Sequence, residues 1–402
     1  MTPGRLRIAV LNRTFSAKAG GAERYAIALV EQLAARHDIH VFAQSIEHNW
    51  PGVTYHRVKM PLRRPRWINQ LWFAAATWWA TRKHFDPGLE TGFDVVHSHE
   101  NTWHGDVQTV HVLPVKHNLF HGRAGWRLAL RWLKVLTSPR LLVYLGLEHF
   151  RYAVQPGRAV VATSDSLLAI FEATYAVAAG MTSVITPGIV LPNLPISEAG
   201  KQTARQQLGL PQAQPCILFV GNDFRKKGLS ALIDSLRVLP GQVVLAVVGH
   251  SAQLPGFRQQ VQAAGLGARV FFLGALDDVG PAYRAADCLA HPTLEDTFAM
   301  VVLEAMAHCL PVVVSGAKYC GIAGLLEQGV NALLLNEPRD VVALSDGLRR
   351  VLGDEALKTK LAQAARVFAE NFEWSARAAA QEKLYYASWA AKNKGKARAD
   401  TH

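Results

Sequence analysis

Two carboxylates eight residues apart, Asp296 and Glu304, stand in the densest chemical signal of the 402-residue chain. The segment ADCLAHPTLEDTFAMVVLEAMAHCLPVVVSG, residues 286–316, reads as a strand ending at Pro292, an acidic loop, a helix from about Met300, and a new strand at Pro311. Asp296 then sits in the loop and Glu304 two turns along the helix. Carboxylates so placed can accept hydrogen bonds from sugar hydroxyls. The backbone N–H groups of Phe298, Ala299 and Met300, at the start of that helix, would form an anion site suited to a phosphate. A surface acid before a helix followed by an ordinary helical glutamate would give the same pair, so the spacing alone does not decide.

The elements that must position these groups alternate β-like apolar runs with helical stretches, the pattern of parallel sheets covered on both faces. RIAVLN, HDIHVFAQ, FDVVHSH, DVQTVHV, RAVVATS and MTSVITPG read as strands in the first half. CILFVG, VVLAVVGH, RVFFLG, DCLAHP, PVVVSG and NALLLN do so in the second. The Pro-rich and polar segment 187–215 reads as a linker with a lead-in helix, and the chain after Asp340 as helical. The expected fold is α/β: two doubly wound, Rossmann-like domains, 1–190 and 191–373, facing a central cleft, with a helix over 374–395 free to pack back on the first. Ligands of this architecture bind at the carboxyl ends of the strands, and two such edges suit an enzyme that joins two substrates.

Half of the residues are hydrophobic and 18% are charged, which excludes a disordered chain. The net charge of +12 favours an anionic partner, whether nucleic acid, a membrane surface or a phosphorylated substrate, although a soluble enzyme with a basic surface and no special partner would give the same total. Its distribution is uneven. No acid occurs from His48 to Phe85, where Arg57, Lys59, Arg63, Arg64, Arg66, Arg82 and Lys83 accompany five tryptophans, Trp50, Trp67, Trp72, Trp78 and Trp79. A second acid-free stretch, from Val107 to Leu147, holds Lys116, Arg123, Arg127, Arg131, Lys134 and Arg140. In GWRLALRWLKVL, Arg127, Arg131 and Lys134 share one helix face, the composition of a helix lying in a headgroup layer. Residues 57–83 and 123–140 are therefore the expected contact with an anionic membrane; helices packed on their own sheet with solvated arginines are the plainer alternative. No zinc-finger, RNP or basic-zipper pattern supports nucleic acid. The opening MTPGRLRIAVLN lacks the apolar stretch of a signal peptide, and no run is long enough to span a bilayer, so a cytoplasmic protein peripheral on the inner membrane is expected. Cys216, Cys288, Cys309 and Cys320 form no metal-binding spacing and read as small buried residues.

The acid-x7-Glu segment resembles the signature of family 4 glycosyltransferases, retaining enzymes of the GT-B fold that use nucleotide-sugar donors. FVGNDFRKKGL, residues 219–229, is similar to that family's strand, glycine, basic loop and Lys-Gly element, and VFFLGALDD, NALLLN and GGAERYAIALVEQLA extend the likeness along nearly the whole chain. The resemblance implies that Glu304 binds the donor ribose and that Asp296, in place of a glutamate, contacts the sugar ring, with Glu295 leaving the register open by one. It implies that Lys227 neutralises the donor diphosphate. The family has an arginine after the loop's first glycine; Asn222 follows Gly221 here, and Arg225 or Lys226 would supply the missing cation. Gly20 and Gly21 match the family's Gly-Gly loop, where backbone approaches donor phosphate and sugar. His111 matches a histidine beside the reacting sugar, and His97, His99 and His104 lie close enough in sequence to face the same site. The FRKKG loop with TFAMVVLEAMA also resembles the lipopolysaccharide-core glucosyltransferase branch, so a UDP-sugar donor and a lipid-linked or lipopolysaccharide-type acceptor are the expected substrates. No cofactor or divalent metal is expected, because no Asp-x-Asp pair occurs. A catalytically inactive membrane-bound scaffold, or a sugar epimerase or phosphorylase of the same fold, would share these motifs.

Overall fold

A computed structural model describes residues 4–16, 20–62, 64–82, 92–193 and 197–399, with side chains described up to 394. Arg63 and Lys83, counted above among the basic residues, lie outside them. The chain divides into two compact units, Met1–Gly188 with Trp374–His402, and Ile189–Glu373.

The first unit contains β1 (Arg7–Leu11), β2 (Thr14–Phe15), α1 (Gly21–Leu33), β3 (Asp38–Ala43), β4 (Ser45–Ile46), β5 (Val53–Arg57), α2 (Arg66–Ala80), β6 (Val95–Ser98), β7 (Val107–Val110), α3 (Val115–Phe120), α4 (Gly125–Leu136), α5 (Pro139–Arg151), β8 (Ala159–Ala162), α6 (Asp165–Thr174) and β9 (Thr182–Val184). The second contains α7 (Glu198–Gln207), β10 (Cys216–Val220), α8 (Leu229–Leu236), β11 (Val244–Val248), α9 (Leu254–Ala263), β12 (Val270–Gly274), α10 (Gly280–Ala285), β13 (Cys288–His291), α11 (Met300–Ala307), β14 (Val312–Ser315), β15 (Leu333–Leu335), α12 (Val341–Gly353) and α13 (Glu355–Glu370). The last helix, α14 (Trp374–Ala399), returns to the first unit.

Seven strands of the first unit form a sheet in the order β5-β3-β1-β6-β7-β8-β9, with β2 and β4 paired separately, and those of the second form a six-stranded sheet, β12-β11-β10-β13-β14-β15. All the ladders within them are parallel. Alternation along each strand feeds two cores. Ile8 and Val10 of β1 pack with α1 and α14, while Ala9 and Leu11 join Phe42, Phe73 and Val96 under α2. Cys216, Leu218 and Val220 of β10 face one core of the second unit, and Ile217 and Phe219 the other. Burial on both faces is why these strands read as unbroken apolar runs. Strand β5 has only one neighbour and is half exposed, with polar residues among its five; the sequence reading passed over it.

Cys216, Cys288 and Cys320 are buried free thiols, as expected; Cys309 is only half-buried, in a left-handed turn with φ 56° that ends α11. Helix α4 forms over the expected residues, but only Val135 is fully buried. Trp126 is 70% exposed, Leu133 59% and Leu136 64%, so α4 is not packed on its own sheet by its apolar side chains. Of the five tryptophans grouped above, Trp50, Trp72 and Trp79 are exposed, whereas Trp67 and Trp78 are half-buried. Arg82 stacks over Trp78, 3.6 Å from the ring centroid. Among the described residues no helix is long and apolar enough to cross a membrane.

Candidate active site

Parallel strands end with their carboxyl edges clustered, and in the second unit β10, β13 and the start of α11 bring the charged residues together there. The turn after β10 carries Asn222, Arg225, Lys226 and Lys227. Gly228 ends it with φ +81°, and a Cβ there would stand 1.9 Å from the Pro292 carbonyl oxygen, so only glycine lets this loop lie against the end of β13. A Cβ on Gly221 would stand 3.1 Å from Lys227 Cγ; its absence gives the lysine stem room to cross the strand end.

Lys227 Nζ donates to Asp296 Oδ2 at 2.5 Å and to the Glu295 carbonyl oxygen at 3.2 Å. His291, fully buried at the end of β13, meets the same Asp296 oxygen through Nε2 at 3.2 Å. Burial alone would raise the Asp296 pKa, but the His291 hydrogen bond and the Lys227 charge outweigh it and hold the carboxyl well below the usual range. Burial also lowers the His291 pKa, against the pull of Asp296, so at neutral pH the imidazole is uncharged.

Of the two neighbouring acids, Glu295 and Asp296, the more buried is Asp296. Its side chain turns inward, while Glu295 pairs with Lys226 at 2.5 Å where both are about two-fifths exposed. The segment after β14 holds the loop in place: Asp296 N–H donates to Tyr319 O at 2.8 Å, and Gly321 N–H to Asp296 O at 2.9 Å. The expected phosphate site on the helix amides needs correction. Asp296 Oδ1 itself accepts from Ala299 N–H at 2.8 Å and Phe298 N–H at 3.3 Å, so two of the three amides already serve this carboxylate. That bond holds Ala299 in the left-handed region, φ 71°, which a residue with a Cβ adopts only under constraint. Met300 then opens α11, and Glu304 follows one turn on, half-buried, its Oε2 accepting from the Tyr283 hydroxyl at 2.6 Å. Tyr283 stacks in turn on His308.

Arg225 is exposed, and its side chain has no polar partner among the described residues; its backbone N–H donates to Gln253 Oε1 at 2.9 Å. Asn222 Oδ1 accepts from His250 N–H at 3.1 Å and so shapes the neighbouring turn.

In the first unit the carboxyl edge gathers a different set. Gly20 caps α1 with extended backbone, a conformation any residue adopts, and a Cβ there would meet only the Glu23 carboxylate. Gly21 is the first residue of the helix. His111 follows β7 and meets His99 after β6 in an imidazole pair, His99 Nδ1 to His111 Nε2 at 2.9 Å. Tyr25 of α1 lies edge-on to His111 with centroids 5.2 Å apart. Burial, with the Arg151 charge adding to it, pushes the His111 pKa down to about 3. His97 lies against His99, ring centroids 4.2 Å apart, but both of its nitrogens are committed elsewhere. His97 is enclosed between the Tyr385 hydroxyl at 2.6 Å and Thr109 Oγ1 at 2.7 Å, and His104 turns toward Thr77 of α2 at 3.3 Å.

Sequence reasoning missed His291, Tyr283, and a cluster of Arg13, Glu23 and Glu100 beside Gly20, in which Arg13 Nε and Glu100 Oε2 pair at 2.8 Å. His291 carried a usable signal, a polar residue closing an otherwise apolar parallel strand. Tyr283 carried none, because its contact with Glu304 joins separate helices. Among the described residues, no group of three or more His, Cys, Asp and Glu side chains is arranged to hold a metal ion.

The family described as glycosyltransferase family 4 matches residues 19–191, and that described as glycosyl transferases group 1 matches residues 200–368. The chain is a family 4 glycosyltransferase. It is 29% identical over 298 residues to a D-inositol 3-phosphate glycosyltransferase of Xylanimonas cellulosilytica, covering 67% of this chain and 70% of that one. To the lipopolysaccharide glucosyltransferase WaaG of Escherichia coli K12 it is 28% identical over 243 residues, 59% of this chain and 64% of that enzyme. The chain thus spans about two thirds of the length of these curated relatives. A crystal structure of WaaG superposes with a TM-score of 0.78 at 22% identity, over 94% of this chain and 98% of WaaG, which establishes the GT-B fold. Anabaena HepE in complex with UDP-glucose superposes with a TM-score of 0.69 at 21% identity, over 94% of this chain and all of that one.

Proposed function

We propose that this glycosyltransferase moves a sugar, with retention at the anomeric carbon, from a UDP-sugar to a lipid-linked or lipopolysaccharide-type saccharide at the cytoplasmic face of the inner membrane. The observation that carries the donor half is the Lys227–Asp296–His291 cluster beside Glu304. It sets a cation able to meet a diphosphate next to one carboxylate able to read hydroxyls, at the start of the helix that carries a second, Glu304. As the bond from the anomeric carbon to the diphosphate oxygen breaks, negative charge grows on that oxygen, and Lys227 with the unpaired Arg225 is the protein's means of stabilising it. Asp296 orients the sugar ring and Glu304 the ribose. The acceptor hydroxyl forms the new bond on the same face and passes its proton to the departing phosphate. His111, uncharged at neutral pH, offers a hydrogen bond to a sugar hydroxyl and carries no charge to the reaction.

The kinship with WaaG and with an inositol-phosphate enzyme supports a phosphorylated or lipid-borne acceptor, and the likeness to HepE supports a UDP-sugar. Exposed Trp126, Leu133 and Leu136 beside Arg127, Arg131 and Lys134 support a lipid surface as the place where that acceptor is met. The reading needs no metal. The test is a screen of nucleotide sugars against lipid extracts in EDTA, read as nucleotide release and as acceptor mass gain. A UDP-sugar that gains an acceptor adduct in EDTA is the expected result. Indifference to every nucleotide sugar, or product only with added metal, would overturn it.

A further inference from the structure

At the edge of the first sheet, between β5 and α2, lies a cavity of about 590 Å³, within the ~300–1,000 Å³ usual for small-molecule sites. Its origin is legible in α2. Phe73 and Ala74 are fully buried in the core beneath the helix. One turn on, Ala76 and Ala80, four residues apart on one face, line the cavity instead of a large side chain. Phe42, Val58 and Phe93 supply the remaining apolar wall. The Trp72 indole, which donates to Lys59 O at 2.9 Å, joins the helix to the strand end.

The ionisable groups around the cavity, apart from the Tyr55 hydroxyl that accepts from Trp50 N–H at 2.9 Å, are basic in type. His40 and His56 are committed to each other at 2.8 Å, and His40 also to Asp38 at 3.3 Å. Arg57 and Lys59 are exposed, and neither has an ion-pair partner among the described residues. Among the described residues no acid lines the cavity. An apolar slot with two exposed cations at its rim complements a hydrocarbon chain that ends in an anion: the chain leaves water, and the head keeps both solvent and counter-charge.

We propose that this slot binds one hydrocarbon chain of an anionic, phosphate-headed lipid, with the head on Arg57 and Lys59. For the source of that lipid the proposal rests on the membrane surface in the reading above; its test uses neither vesicles nor nucleotide sugar, so the two can fail separately.

The probe is dodecyl phosphate below its micelle concentration, titrated calorimetrically into the full chain. Saturable binding is expected, with inorganic phosphate giving none and dodecyl maltoside binding about fivefold or more weakly. Filling the slot with A76L/A80L should weaken dodecyl phosphate about tenfold or more while the melting midpoint holds or rises, because a cavity has been filled. R57Q/K59Q should weaken it about fivefold and flatten its salt dependence. Equal affinity in a folded A76L/A80L chain, or equal affinity for the maltoside, would overturn the proposal. Should that pair not fold, A80V and R57Q/K59Q carry the test, and unchanged affinity in both would overturn it.

Discussion

Lys227 joins packing to chemistry in the second unit. Its stem crosses Gly221, and its ammonium balances Asp296, a carboxylate kept ionised by that charge and by His291. Replacing Lys227 by alanine should lower kcat/KM by a factor on the order of 10² or more. It should also lower the melting midpoint, because Asp296 loses the partner that compensates its burial. Steady-state kinetics beside a thermal melt check both, and unchanged kinetics would remove Lys227 from the donor site. Glu304→Gln separates the two effects. The amide oxygen can still accept from Tyr283, so stability should hold within about 1 kcal/mol, while the donor KM rises by about tenfold as an ionic acceptor for hydroxyls becomes a neutral one. A stability loss without a KM change would make Glu304 a packing residue.

At the scale of elements, the loop from Gly221 to Gly228 and the start of α11 are positioned by backbone contacts. Gly228 combines a left-handed φ with a Cβ position 1.9 Å from Pro292 O, and neither main chain can give way cheaply. Gly228→Ala should cost about 3 kcal/mol or more by denaturant titration, and with it the register of the basic loop on β13. In the first unit, α4 presents its cations beside exposed tryptophan and leucine. R127Q/R131Q/K134Q should reduce sedimentation with anionic vesicles several-fold and weaken the salt dependence, since each basic residue near such a surface contributes about 1 kcal/mol. Equal recovery of both chains with anionic and neutral vesicles would remove α4 from a membrane role.

Over the whole molecule, buried histidines set the response to acid. Burial, with Arg151 or Arg158 and other nearby positive groups adding to it, pushes His97, His104 and His111 down to about 3 from an ordinary value of 6.5, and His99 in the same direction. Between those values the unfolded chain takes up protons that the native chain refuses. Stability is therefore full above pH 6.5 and falls as the pH drops toward 3, by up to about 1.4 kcal/mol per pH unit for each such group. Asp296 works at lower pH: its depressed pKa contributes stability above the usual carboxylate range, lost only as pH falls below it. Melting curves from pH 7.5 to 4.5 should show a continuous decline, and a flat profile would contradict the burial of these imidazoles.

The sequence by itself determined the two parallel-sheet units, because strands covered on both faces must be apolar throughout and therefore announce themselves. It determined the family and the short motifs around Gly221, Lys227, Asp296 and Glu304, whose members lie within one or two turns of each other or on adjoining strand ends. Strand β5 escaped because a half-exposed edge strand needs no apolar run. Only the tertiary structure decided that Asp296 and not Glu295 turns inward, that Asp296 occupies amides expected to meet phosphate, and that His99 bonds His111 while His97, packed on His99, bonds Tyr385 and Thr109 and His104 turns to α2. It alone brought His291 and Tyr283 to the carboxylates. Those outcomes depend on side chains from separate elements competing for the same few hydrogen bonds in a space that excludes water, and no local spacing records who wins.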